Sequence, residues 1–293
     1  MELKYIIKQD DNYINVDEIL SSYFSISARL RSKLIKLQKI MLNGNPVDTR
    51  QSVNPFDIIT VCLDYDEDNS NIIPFKMKLD ILYEDEWFLI INKPAGIAIH
   101  PSLLHYSNSL SNGIKYYFDS INLKKKIRPI NRLDTNTSGL CIFAKCEYIQ
   151  ECFIKQMAEK SFKKEYLCLV EGVFDKKFGT INLPIARKSG SIIERCVDEN
   201  GQMAITNYKV IDEFKDYSLL KCLLETGRTH QIRVHMSYIG HPLLGDTLYG
   251  NSSGLIARQA LHSYIIQFIH PITKKVLKFT CKLPEDMNIL SFY

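Results

Sequence analysis

No run of uncharged apolar residues in this 293-residue chain is long enough to cross a bilayer, and Met1 to Asp11 mixes both signs of charge without an apolar stretch of signal length. A cytoplasmic protein with no membrane contact is expected. The chain also lacks any C-x-x-C pair, although it holds eight cysteines. Cys62, Cys141, Cys146, Cys152, Cys168, Cys196, Cys222 and Cys281 are scattered, several of them inside apolar runs, which reads as reduced thiols serving as small hydrophobes. There is no G-x-G-x-x-G, no phosphate-binding P-loop and no metal-ligand spacing, so no cofactor and no metal are expected. Net charge is scarce too: 37 Lys and Arg against 33 Asp and Glu leave +4. Any nucleic-acid role must therefore rest on where positive charge is placed.

What the chain does contain is one stretch around which the rest is organised, Pro129 to Leu140, P-I-N-R-L-D-T-N-T-S-G-L. Arg132, the hydroxyls of Thr135, Thr137 and Ser138, and Gly139 predict a tight loop that lifts Asp134 to the mouth of a buried strand, Leu140 to Ala144. Taken alone, Asp134 could equally be a turn residue or a helix cap.

Ahead of it, Asn15 and Glu18 fit a capping box opening a short helix through Val16, Ile19, Leu20 and Tyr23. A second helix starts near Ala28, with Leu30, Leu34, Leu37 and Met41 on its apolar stripe and Arg29, Lys33 and Lys36 forming a basic ridge beside it. That ridge suits contact with phosphates, or a merely solvated face. Asn43-Gly44 marks a hairpin, Ile58 to Leu63 a strand, and Asp64 to Ser70 an acidic linker reaching to about residue 76. Beyond it, Ile81 to Glu84 and Trp87 to Ile91 read as strands. Lys124, Lys125, Lys126 and Arg128 bring positive charge up to the Asp134 loop, a helix follows from Glu147 to Lys160, and strands run over 163–172 and 218–224. His230, His235 and His241 crowd one region, but His230 and His235 are five apart, not the i, i+4 of a helical zinc pair.

Four or five ordered motifs then resemble the RluA-type pseudouridine synthases. N-R-L-D-x-x-T-S-G-L at Asn131 to Leu140 fits the family's signature loop, with Asn131 where His is commoner. Asn92-Lys93-Pro94-Ala95-Gly96, Lys164-x-Tyr166 with Val170 and Gly172, and Thr226-Gly227-Arg228-Thr229-His230-Gln231-Ile232-Arg233-Val234-His235 fit as well, with Gly240 to Asp246 and Arg258 to His262 continuing the pattern. The resemblance spans about residues 77 to 283. Residues 13 to 64 resemble, in addition, the S4 RNA-binding fold.

The resemblance implies an α+β protein: a catalytic domain over 77–293 on a mixed, mainly antiparallel sheet, a small S4-like domain over 1–64, and a linker over 65–76. It implies Asp134 as the catalytic carboxylate, Arg233 as its salt-bridge partner, and Tyr166 as a platform for the flipped base that helps remove a late proton. Arg132, Arg228, His230, Lys124, Lys125 and Arg128, with Arg29, Lys33 and Lys36 of the small unit, would contact RNA. Large-subunit ribosomal RNA is the expected substrate, transfer RNA the runner-up, and the enzyme is expected to be a monomer. Uridine isomerisation carries no group away and changes no oxidation state, in keeping with the missing cofactor motifs. A non-catalytic RNA-binding protein would instead have replaced Asp134, Tyr166 or Arg233, and a glycoside hydrolase would need a second acid facing Asp134, which no motif supplies.

Overall fold

In the computed structural model, which describes residues 1–103 and 105–288, the chain builds, besides a separate two-stranded hairpin of Ile185–Arg187 with Arg195–Val197, two main sheets. The smaller has the spatial order Glu2–Ile6, Ile58–Cys62, Ile40–Leu42, Asn45–Pro46, all antiparallel. Its first strand was not anticipated. Leu3 and Tyr5 are buried while Glu2, Lys4 and Ile6 face out, and the charged residues between them hid the two-residue period. The expected hairpin sits at Asn43-Gly44, where both residues take positive φ (50° and 84°), the geometry of a type I′ turn.

Asn15 caps the first helix, Val16–Glu18, by accepting the Glu18 N–H at 3.1 Å, and the Glu18 carboxylate accepts the Ile14 N–H at 2.8 Å. The coil continues as a wider π turn over Ile19–Tyr23. Ser27 caps the second helix, Ala28–Lys36. This helix ends earlier than its stripe suggested: Gln38 enters the left-handed region (φ 53°), and Met41 lies in a strand.

The larger sheet is mixed and mainly antiparallel, as expected, in an α+β arrangement. Its order is Phe178–Asn182, Ile205–Glu213, Tyr217–Leu224, Lys163–Glu171, Leu261–Ile269, Ser138–Ala144, Phe88–Lys93, Ile81–Glu84. Val276–Thr280 flanks Leu261–Ile269, and Arg128–Pro129 flanks Ser138–Ala144. Only the contact of Ser138–Ala144 with Leu261–Ile269 is parallel. Every residue of Ser138–Ala144 is buried. Leu140, Ile142 and Ala144 face a cluster that also holds Leu20, Leu30 and Leu34 of the small unit, whereas Cys141 and Phe143 face Ile114 and Phe118 of the helix Leu110–Ser120. Each such side chain contributes about 1.5–3 kcal/mol by leaving water, so this strand is the anchor from which the Asp134 loop departs.

The same packing pairs several residues of the expected RNA-binding set with carboxylates and carbonyls. Arg29 and Lys33 reach toward Glu147, whose carboxylate lies 2.8 and 2.9 Å from them; Lys33 is partly covered by the contact, while Arg29 and Lys36 stay on the open surface. Lys125 is 2% exposed and donates to the carbonyls of Tyr65 (2.7 Å) and Leu63 (3.3 Å). Arg128 is buried in a two-pronged pair with Glu67, at 2.7 and 2.6 Å. Lys124 is exposed, with Asp66 at 3.3 Å. The cause is charge complementarity: the acidic stretch after residue 63 lies along the basic run, so the first part of the linker is pinned. A charge held this way is satisfied by a carboxylate and largely withdrawn from any phosphate.

Candidate active site

Asp134 stands where the loop turns, its carbonyl accepting the Thr137 N–H at 3.0 Å. Three contacts shape that loop. Asn131 is buried and imitates a strand neighbour: its Nδ2 donates to the Leu140 carbonyl at 3.0 Å and its Oδ1 accepts the Ile142 N–H at 2.9 Å. This amide supplies donor and acceptor together, which accounts for Asn at this position. Lys93, fully buried at the end of its strand, donates to the carbonyls of Pro94, Ile97 and Thr135 at 2.8–2.9 Å, and so ties the neighbouring loop to the residue after Asp134. Arg258 donates to the Asn136 carbonyl at 2.9 Å while Asp286 holds its other edge. Gly139 closes the turn at φ +107°, where a Cβ would lie 2.2 Å from the Ser263 carbonyl oxygen, so no other residue fits without moving the parallel strand.

Arg233 comes from the helix Gln231–Tyr238, an element the sequence reading did not assign. Its Nη1 is 3.1 Å from Asp134 Oδ2, and its other edge grips Asp246 through Nε (2.7 Å) and Nη2 (2.8 Å). Burial works against the Arg233 charge, but Asp246 and then Asp134 more than offset it. One guanidinium serves two carboxylates, so the cluster keeps a negative charge overall, with Asp134 as its solvent-facing member: 25% exposed, against 1% for Asp246. The Tyr249 ring lies 5.0 Å under the guanidinium.

His230 caps that helix in the left-handed region and sets Nε2 3.8 Å from Asp134. Its Nδ1 is 2.7 Å from the Tyr249 hydroxyl, which also accepts the Arg195 N–H at 2.8 Å. When that hydroxyl donates its own proton to Nδ1, the His230 proton sits on Nε2, facing Asp134. Burial lowers the His230 pKa, in keeping with this neutral form.

Tyr166 is buried on the strand Lys163–Glu171 and lines the same cleft as Asp134. Burial, with the Asp134 charge adding to it, pushes its phenol well above the ordinary value. Tyr166 thus forms part of the wall of the cleft as a neutral phenol. The cleft measures about 850 Å³ and is also lined by His100, Arg132, Lys164, Arg228 and His230. Arg132 and Arg228 are exposed at its edge.

The three histidines of the dense region separate in space. His235 is buried between the Thr206 hydroxyl and the Leu183 carbonyl, both at 2.9 Å, while His241 bonds the Glu171 carbonyl and stacks on Phe174. Among the described residues no three His, Cys, Asp or Glu side chains gather as metal ligands would. Sequence reasoning missed Lys93, Asp246, Tyr249 and Arg258 as working parts of the site. All but Tyr249 lay inside quoted motifs, but their partners are distant in sequence and spacing alone does not reveal them.

Similarity to known proteins agrees with this geometry. Residues 87–238 match the family model described as RNA pseudouridylate synthase. The chain is 39% identical over 285 residues to the uncharacterized RNA pseudouridine synthase YhcT of Bacillus subtilis, covering 97% of this chain and 93% of the relative. It is 34% identical over 304 residues to the ribosomal large subunit pseudouridine synthase D of Blochmanniella floridana, covering 96% and 95%. Among solved structures, human RNA pseudouridylate synthase domain containing 1 superposes with a TM-score of 0.58 at 26% identity, covering 70% of this chain and 83% of that one. A loop carboxylate bound to a shared arginine, on a mixed sheet with these relatives, identifies the chain as a member of the RNA pseudouridylate synthase family and as an isomerase that makes pseudouridine in RNA.

Proposed function

We propose that this enzyme isomerises uridines in large-subunit ribosomal RNA, with Asp134 as the catalytic carboxylate. The observation that carries the role of Asp134 is its contact with Arg233 at the floor of a cleft large enough for a nucleoside. The ribosomal target rests on the printed activity of the relatives called synthase D, which the chain matches over most of its length.

Pseudouridine formation breaks the N-glycosidic bond, turns the base and joins its C5 to the sugar, after which the C5 proton leaves. Attack of Asp134 on the anomeric carbon, or removal of a sugar proton on a glycal route, needs an ionised carboxylate. Arg233, with Nη1 3.1 Å from Oδ2, holds that carboxylate in one orientation. The uridine must first leave its stack, which costs a few kcal/mol, offset by contacts in the pocket. Tyr166 walls the flipped base. Arg132, at the lip, holds a phosphate next to the flipped nucleotide, and Arg228 and His230 hold the sugar-phosphate beside it. The freed Asp134 carboxylate then accepts the C5 proton, with Tyr166 beside it in the cleft wall.

Residues 1–64 act in this reading as an S4-like RNA-binding unit fixed to the catalytic body, with Lys36 on its open face, and 65–76 as a docked strap. A cytoplasmic monomer without a cofactor completes the proposal; no described helix is long and apolar enough to cross a membrane. Mapping pseudouridines in total RNA from cells that lack the protein, complemented with wild type or Asp134→Asn, tests it. The reading expects ribosomal sites that return with wild type only. Loss of sites in transfer RNA alone would move the target, and sites restored by the Asn variant would remove Asp134 from its role.

A further inference from the structure

A second groove of about 390 Å³ adjoins the Asp134 cleft; Arg132, Gly227, Arg228 and Thr229 line both. Its far wall is a two-stranded hairpin, Ile185–Arg187 with Arg195–Val197, in a stretch from which the sequence yielded no chemistry. Arg187 and Arg195 stand directly opposite one another in that pairing. Like charges so placed are destabilising unless something negative lies between them. Among the described residues no carboxylate lies within ion-pair range of Arg132, Arg187, Arg195 or Arg228. The hairpin's own Glu194 is taken by Lys188 at 3.0 Å. The other lining residues, Asn200, Gln202 and Thr229 among them, are uncharged.

The arginines are partly braced. Arg195 donates to the carbonyls of Ile193 (3.2 Å) and Glu194 (3.1 Å), and Arg228 to that of Met203 (2.9 Å), which leaves several N–H groups of each free. The hairpin is also fastened to the Asp134 site, because the Tyr249 hydroxyl that holds the Arg195 N–H also meets His230. Four guanidiniums without an acid, in a groove opening into the cleft, form an array for an extended polyanion with phosphates at successive steps.

Resting on the reading of this protein as an RNA-modifying enzyme, we infer that the 185–197 hairpin, with Arg132 and Arg228, holds the phosphodiester backbone of the RNA strand next to the nucleotide in the Asp134 cleft, Arg187 and Arg195 taking consecutive phosphates. The hairpin is the specific grip on the flanking strand, a task that the paired Lys125 and Arg128 cannot perform.

The test measures binding of the full-length protein to a labelled twelve-nucleotide oligouridine at several salt concentrations. Two lost phosphate contacts on a single strand lower the slope of log affinity against log salt by about 1.4. The Arg187→Gln/Arg195→Gln protein should show that fall, with affinity near 0.1 M salt down on the order of tenfold. Arg187→Lys/Arg195→Lys, which keeps both charges, should retain the slope, and Lys188→Gln, on the same hairpin but paired with Glu194, should leave it unaltered. An unchanged slope in the double Gln variant overturns the inference. So does an equal fall in Lys188→Gln, which would mean diffuse charge, or a wild-type protein whose binding ignores salt. Pseudouridine formation by wild type on an unmodified large-subunit ribosomal transcript, followed in parallel, reports separately on the enzymatic reading.

Discussion

Arg233 and Asp134 meet at 3.1 Å although 99 positions separate them in the chain. Asp246 already occupies the other edge of the guanidinium, so Arg233 reaches Asp134 with a single nitrogen held in one orientation. A variant that keeps the charge but not the fork should therefore fail. Arg233→Lys is expected to lower kcat by at least 100-fold with little change in RNA affinity, since an ammonium cannot serve both carboxylates in this geometry. Single-turnover assays beside binding titrations check it, and a Lys variant within threefold of wild type would refute the orienting role.

Asp134→Asn should keep the fold and RNA binding and lose pseudouridine formation. The Asn amide can still lie near Arg233, so unfolding is not expected to confuse the outcome. Measured turnover near wild type would exclude Asp134 as the reacting group.

Lys93 gives the reaction a high-pH limb. Burial pushes its ammonium down to about 8 from an ordinary 10.5. The charged form supplies three N–H donors to three carbonyls, and the neutral amine supplies two, so the tie to Thr135 weakens as pH rises through about 8. Activity should fall above that point, and Lys93→Met should be slow at every pH without the limb. Stability responds in the opposite sense. Between about 8 and 10.5 the unfolded chain binds the proton that the folded chain has released, so the contribution of this group to stability rises with pH over that window. Rate profiles and denaturant unfolding over the same pH range separate the two effects.

Asn131→Ala should cost about 1–3 kcal/mol, because it strands the Leu140 carbonyl and the Ile142 N–H in the interior. The loop should loosen with it, lowering kcat more than affinity. Urea titration and kinetics on the same preparation check both.

Removing residues 1–64 should destabilise the remainder rather than only weaken RNA binding. The deletion leaves Glu147 without Arg29 and Lys33, removes the Leu63 carbonyl from Lys125, and strips the apolar cover from Leu140 and Ile142. The only tryptophan, Trp87, sits in that shared core beside Glu86, which pairs with the Met1 amino group, so its emission should shift to the red. An unshifted spectrum and an unaltered melting temperature would show the two units to be independent.

Residues whose role is written in local pattern were legible in advance. The period of apolar side chains pointed to a strand from Leu140 to Ala144 and a helix from Glu147 to Lys160, which the structure places at Ser138–Ala144 and Glu147–Ala158, and the signature loop singled out Asp134, which the structure sets beside Arg233. The strand Glu2–Ile6 escaped because two of its five residues are charged, and the helix bearing Arg233 escaped because polar side chains along it face the protein interior. The fate of Lys125 and Arg128 was illegible for another reason. A basic run looks the same whether it will meet a phosphate or a carboxylate, and only the fold brings Glu67 and the carbonyls of Leu63 and Tyr65 against it.

The parallel contact at Gly139 and Ser263 has a consequence for how this protein is born. The Asp134 turn is shaped by a strand and an arginine drawn from the far end of the sequence, so a nascent chain still emerging from the ribosome carries its catalytic motif in an unformed state. Contacts this distant along the chain form late and close slowly. The Asp134 turn is therefore expected to take its final shape only once residues up to about Ser263 have left the ribosome.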